Sequence, residues 1–209
     1  MRNKILKPIV FLAALGPVGL LAWNALHNNL GANPIEEITH QTGLWTLILL
    51  LVTLSITPLR RFIPGLNWLI QYRRMIGLFA FFYGCLHLTT YLWLDQSFDF
   101  HAIIKDVYKR PFITAGFTAF VLMVPLALTS TKGWIRRLGK RWQLLHRLIY
   151  FSAFAGVFHF IWLVKKDLRE PLIYATVFAA LMTIRLLFWF QKNRRVAAPA
   201  GRPVSAHAD

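Results

Sequence analysis

Residues 75–94 read MIGLFAFFYGCLHLTTYLWL, twenty residues without a formal charge and with one imidazole, His87, among them. A helix of that length spans about 30 Å, the thickness of a bilayer's hydrocarbon core. Working outward, five more apolar stretches of comparable length follow: Pro8–Leu26, Gly43–Leu59, Phe112–Ser130, Leu148–Val164 and Pro171–Phe190. In lipid every backbone N–H and C=O must be bonded internally, which a helix does for itself. The pattern predicts an all-α integral membrane protein, a six-transmembrane-helix bundle forming one domain over residues 1–195. Residues 196–209, rich in Ala, Pro and Gly, read as a disordered tail. The first stretch follows Arg2, Lys4 and Lys7, as a signal peptide would. It is too long for a typical signal core and has no clear A-x-A site, so it reads as a retained helix bent at Pro17.

Composition agrees with lipid as the solvent: 56% of the residues are hydrophobic and the mean hydropathy is +0.49. A net charge of +16 would suit a nucleic-acid binder, but the charges fall in short clusters between apolar runs, so no nucleic-acid partner is expected. They sort by side. Arg2, Lys4 and Lys7, then Arg60, Arg61, Arg73 and Arg74, then Lys132–Arg147, then the basic tail all fall on one face. Glu36, Glu37, Asp95, Asp99, Asp106, Asp167 and Glu170, seven of the eight acids, fall on the other. Basic connections stay inside, so both termini are expected in the cytoplasm of a multi-pass bacterial inner-membrane protein. Arg185, near the inner end of the last span, is expected to snorkel to the headgroups, with a haem propionate as the alternative partner.

Two connections have structure of their own. Lys132–Leu145 sets Trp134, Ile135, Leu138, Trp142 and Leu145 on one helical side and bases on the other, which suits an interfacial helix on anionic membrane lipid. Asn33-Pro34 with Glu36 reads as an N-cap, an N1 proline and an N3 carboxylate opening a short helix through His40.

The histidines carry the chemistry. His87, His146 and His159 lie in or at the ends of spans, where an imidazole is costly unless partnered. His87 lies about 18 Å along the third span and His159 about 16–17 Å along the fifth, both running outward. Two imidazoles at one depth on different helices can clamp a haem iron, with Phe79, Phe81, Phe82, Tyr83, Phe154, Phe158 and Phe160 at hand to pack the porphyrin. For most of these aromatics the alternative is a lipid-facing side chain. His146 lies about 20 Å lower and about 140° around the helix from His159. At its depth the third span offers Arg73 and Arg74 and no histidine. His146 could therefore ligate a second haem with a non-histidine partner, or contact a propionate, a flavin or a quinone. His27 and His101 read as loop residues, His40 as an interfacial one, and the lone cysteine, Cys85, as packing. No nucleotide-binding or hydrolase motif occurs, so an electron carrier of this design needs separate donor and acceptor partners.

Nine stretches together carry a family resemblance: GANPIEEITHQTG (31–43), ITPLRR (56–61), RRMIGL (73–78), HLTTY (87–91), KRPFITAG (109–116), LTSTK (128–132), LGKRWQLLHRLIY (138–150), FHFIW (158–162) and PLIYA (171–175). In them the chain resembles the MsrQ (formerly YedZ) family of the ferric-reductase-like transmembrane superfamily. The resemblance implies a membrane electron-transfer subunit that binds haem b and FMN. Its donor would be the quinone pool or a cytoplasmic flavin reductase. Its acceptor would be MsrP, a periplasmic molybdopterin enzyme that repairs methionine sulfoxide in oxidised proteins, so the catalytic step belongs to the partner. The family's histidines fall on His87, His146 and His159. NADPH-oxidase relatives have two histidines on the third helix and a cytoplasmic FAD/NADPH domain; this chain has His87 alone there, and its length leaves no room for that domain. The competing expectations are a stand-alone metal reductase, which would share the haem core, a small histidine-relay transporter, and a structural membrane subunit.

Overall fold

The structure, a computed structural model, describes residues 2–164 and 167–197, with backbone alone for 2–4 and 195–197. Lys165, Lys166 and the expected tail from residue 198 on, His207 included, lie outside the described residues. The described chain folds as helices α1 (Arg2–Leu26), α2 (Pro34–Phe62), α3 (Arg73–Thr89), α4 (Phe100–Lys109), α5 (Pro111–Leu128), α6 (Lys132–Leu138), α7 (Lys140–Leu145), α8 (Leu148–Leu163) and α9 (Arg169–Ala197). A 3₁₀ segment, Pro64–Gln71, precedes α3, and a π-helical turn, Thr90–Asp95, extends it. Six stretches are long and apolar enough to cross a membrane, one for each expected span. The chain is an all-α, six-span membrane protein.

Local signals explain the ends. Asn33 caps α2: its Oδ1 accepts from the Glu36 amide at 3.3 Å, and its Nδ2 donates back to Glu36 Oε2 at 3.0 Å. The expected short helix through His40 runs on without a break into the span, because nothing between Pro34 and Gly43 interrupts the ladder. The interfacial segment Lys132–Leu145, in contrast, is two helices rather than one. Gly139 breaks it with φ +51°, a left-handed backbone that favours glycine.

Helix α2 is the hub of the bundle. Its Leu49 and Leu50 join Ala14, Phe79, Ala80, Tyr83 and Met123 in one core cluster. Its Leu47, Leu51 and Leu54, spaced four and three residues apart, join Ala153, Val157, Phe160 and Leu181 in another. Around it pack α1, α3, α8 and α9, while α5 pairs with α8. Helix α1 lies at the rim and is anchored through polar contact. Tyr83 Oη donates to Ala14 O at 2.8 Å and accepts from Val18 N at 3.1 Å, bridging two backbone groups one turn apart beside Pro17. A side chain set into the ladder there is a defined cause of bending.

Tyr83→Phe removes that bridge and leaves two lipid-shielded backbone groups without it, at a cost of about 1–3 kcal/mol. The thermal midpoint in detergent should fall while the visible spectrum of the purified protein stays the same.

Candidate functional site

Each central histidine is fixed by the helix that precedes its own in the fold. His87 Nδ1 lies 2.9 Å from Thr39 O on α2, and His159 Nδ1 lies 2.7 Å from Phe112 O on α5. A carbonyl only accepts, so Nδ1 carries the proton in both rings and the lone pair sits on Nε2. Four residues beyond each carbonyl stands a glycine against the ring. A Cβ on Gly43 would come within 2.9 Å of His87 Cε1, and one on Gly116 within 3.0 Å of His159 Cε1. Glycine is needed at both positions because the rings occupy the space a side chain would fill.

The two rings face each other with centroids 6.1 Å apart and planes at 74°. With metal–nitrogen bonds of about 2 Å and the ring centre about 1.1 Å behind the nitrogen, two axial imidazoles on one metal have centroids roughly 6 Å apart. The pair thus has the spacing, the tautomers and the ring-to-carbonyl hydrogen bonds that two histidines holding one haem iron would need. Thr39 Oγ1, on the residue whose carbonyl holds His87, and Tyr91 Oη, one turn past His87, are buried without hydrogen-bond partners. They are spare polar groups of the kind a haem's carboxylates would use.

A second site lies toward the end of the bundle that carries the basic connections. A cavity of about 470 Å³ is lined on its polar side by Arg73, Arg74, Gln143, His146, Arg147 and Tyr150, and on its apolar side by Phe81, Met123 and Leu126. Trp142 stacks on His146 with ring centres 3.9 Å apart. Trp142 is held in turn by its Nε1–H donating to Thr129 O at 3.0 Å. His146 Nε2 makes a long contact with Thr129 Oγ1 at 3.3 Å, and Arg73 Nη1 makes a similar one with Thr57 Oγ1 at 3.4 Å.

These pairings expose an internal repeat. Thr39 and Phe112, like Gly43 and Gly116, are 73 residues apart, and His87 and His159 are 72 apart. Thr57 and Thr129 are 72 apart, and Arg73 and His146 are 73 apart. Helices α2 and α3 therefore form one half and α5 with α8 the other. The first site has a histidine from each half, whereas the second has His146 from one half and Arg73 from the other. The carbonyls of Thr39 and Phe112 and the two glycines escaped the reading of the sequence. Their signal was the match of LSITPLRR (54–61) to LALTSTKG (126–133), read together with the two glycines.

Several of the aromatic residues take the lipid-facing placement expected for most of them. Phe79 and Tyr83 are buried against α1 and α2, and Phe82, Phe154 and Phe158 are exposed on the bundle surface. Phe160 packs on His40 at 5.8 Å, and only Phe81 reaches the cavity. Helical phase decides most of this, since residues three and four from a histidine share its face and most of these do not. Tyr83, four residues before His87, is instead held by its hydrogen bonds to α1. Arg185 departs from expectation. It turns inward, donating from Nη1 to Tyr150 Oη at 2.9 Å and from Nη2 to Leu54 O at 2.6 Å, rather than reaching the headgroups. At the acidic end of the bundle His40 Nε2 lies 3.8 Å from Glu170 Oε2.

The model of the family described as ferric reductase like transmembrane component matches residues 42–157, from within α2 to within α8. A protein-methionine-sulfoxide reductase heme-binding subunit MsrQ from Herminiimonas arsenicoxydans is 54% identical over 200 residues, covering 94% of this chain and 91% of its own. The subunit of the same name from Azospira oryzae is 51% identical, with coverages of 95% and 88%. That from Xanthomonas campestris pv. campestris is 48% identical, with coverages of 94% and 93%. No solved structure matches. Six spans with a histidine pair at their centre and likeness along nearly the whole chain agree: this protein belongs to the MsrQ family of ferric-reductase-like transmembrane proteins.

Proposed function

We propose that the chain is a membrane electron-transfer subunit that holds haem b between His87 and His159 and delivers electrons to a methionine sulfoxide reductase partner. The observation that carries this reading is the facing ring pair, 6.1 Å between centres, with both Nδ1 atoms tied to carbonyls. Haem bound there supplies a one-electron couple that needs no proton. The chain's residues do the rest. Thr39 O and Phe112 O fix the tautomers, Gly43 and Gly116 admit the rings, and the surrounding spans exclude water. His87→Ala and His159→Ala should each abolish the low-spin b-type absorption of this site. Its survival in either variant would contradict the assignment.

The second cavity, in this reading, takes a second haem with His146 as an axial ligand. Arg73 faces it from the other repeat half, and Arg74 and Arg147 match the negative charge of its propionates. FMN is the competing occupant, because the same three arginines suit its phosphate. A haem content of two per wild-type chain, falling to one in His146→Ala with the His87–His159 spectrum intact, supports haem. One haem with bound flavin would favour FMN.

Direction follows from the charges. With the basic connections in the cytoplasm of a bacterial inner membrane, electrons enter near Arg73 and His146 from a quinone or a cytoplasmic flavin reductase. They leave near the acidic loops toward a periplasmic, MsrP-like molybdopterin enzyme. Glu36 and Glu37, on the first turn of α2 at that end, are placed to steer the acceptor. Reversing both to lysine should slow partner reduction several-fold at low ionic strength and leave the haem spectrum unchanged. An unaltered rate would remove these residues from the docking surface.

A further inference from the structure

Arg185, near the inner end of the last span, is a cation turned into the bundle without an anion among the described residues. Its guanidinium carbon lies 5.1 Å from the centre of the Tyr150 ring, and its donors go to Tyr150 Oη and Leu54 O. Its Nε is buried without a partner, and no carboxylate pairs with it among the described residues. A charge within a membrane span costs several kcal/mol unless something repays it.

Part of its role is visible in the backbone. Pro58 has no N–H, so Leu54 O, four residues earlier on α2, has no helical donor, and Arg185 Nη2 supplies one. A neutral donor such as glutamine would serve that carbonyl as well. A full charge exceeds what the backbone asks for. Tyr150 accounts for the excess, because it lines the cavity of His146 and Arg73. Its oxygen accepts from Arg185, which leaves the phenolic proton free to donate, and no acceptor for that proton occurs among the described residues. The bond to a cation also makes the phenol a stronger donor.

We infer that Arg185 is a positioning residue for the redox group of this cavity: it orients the Tyr150 hydroxyl toward that group and sets a fixed positive charge behind it. Adding one electron to a ferric centre lowers the local charge by one, and a nearby cation in a low-dielectric bundle favours that form. Arg185 thereby raises the reduction potential at the entry site, while the distant His87–His159 pair is little affected. This inference rests on the reading of the cavity as a haem site.

The test is a redox titration of the purified, haem-loaded protein, followed optically, with haem counted per chain. Arg185→Leu should lower the midpoint assigned to the His146 haem, shifting its reduced-to-oxidised ratio about tenfold at fixed potential, with the other midpoint unmoved. Arg185→Lys should keep the wild-type value, and Tyr150→Phe should lower it by less than Arg185→Leu. The double variant Arg185→Leu with Pro58→Ala gives Leu54 O its N–H back without restoring the charge, so its midpoint should stay low. Two bound haems with unshifted midpoints in Arg185→Leu, or a return to the wild-type value in the double variant, would overturn the inference and leave Arg185 as a backbone cap. Should Arg185→Leu lose the second haem, Tyr150→Phe decides, an unchanged midpoint counting against. A single haem in the wild-type chain would overturn the underlying reading instead.

Discussion

An imidazole surrounded by hydrocarbon must give its proton to something, and two hydrogen bonds from ring to backbone govern this molecule. His87 and His159 each donate from Nδ1 to a carbonyl one helix away, at 2.9 and 2.7 Å. Those bonds select the tautomer, leave the lone pair on Nε2 in each ring, and require close approach of the helices. Close approach in turn requires glycine at 43 and 116, where any side chain would overlap a ring. In lipid, where apolar contact gives helices little reason to associate, such bonds and small residues do much of the joining.

The same arrangement occurs twice along the chain, which explains the architecture. A carbonyl, a glycine one turn later and a histidine on the next span of the pair make up each half. Both α2 and α5 descend from the acidic end of the bundle to the basic end, so the halves have the same direction. Two equivalent histidines then meet at the centre. At the second site the halves differ in the residue that matters most, because Arg73 stands in the place of His146. That substitution accounts for a chain with one symmetric histidine pair and one asymmetric cavity.

Much of this was legible in the sequence. Six apolar runs of bilayer length, five of them uncharged and the last carrying only Arg185, specify the spans, since lipid leaves helices as the only economical solution. The shared depth of His87 and His159 follows from 1.5 Å per residue and needs no knowledge of packing. What was illegible depended on direction around a helix or on partners far along the chain. Phe79 and Tyr83 stand within eight residues of His87 yet face α1. Arg185 was drawn inward by a carbonyl that Pro58, 127 residues earlier, had left without a donor. The break at Gly139 depends on a backbone angle that glycine permits but does not announce. The repeat was present in the letters, but its weight lies in spaced matches such as Gly43 with Gly116, Thr57 with Thr129 and His87 with His159 rather than in overall similarity.

Charge completes the account: cations line the second cavity and acids mark the opposite end, so the bundle is polarised along the proposed direction of electron flow. All of it depends on the central pair binding one iron. Electron paramagnetic resonance of the oxidised, haem-loaded protein tests that most directly, because imidazole planes at 74° on one ferric iron give the strongly anisotropic low-spin signal of near-perpendicular axial ligands. The account predicts that signal in the wild-type protein. A spectrum showing only high-spin ferric haem would contradict it.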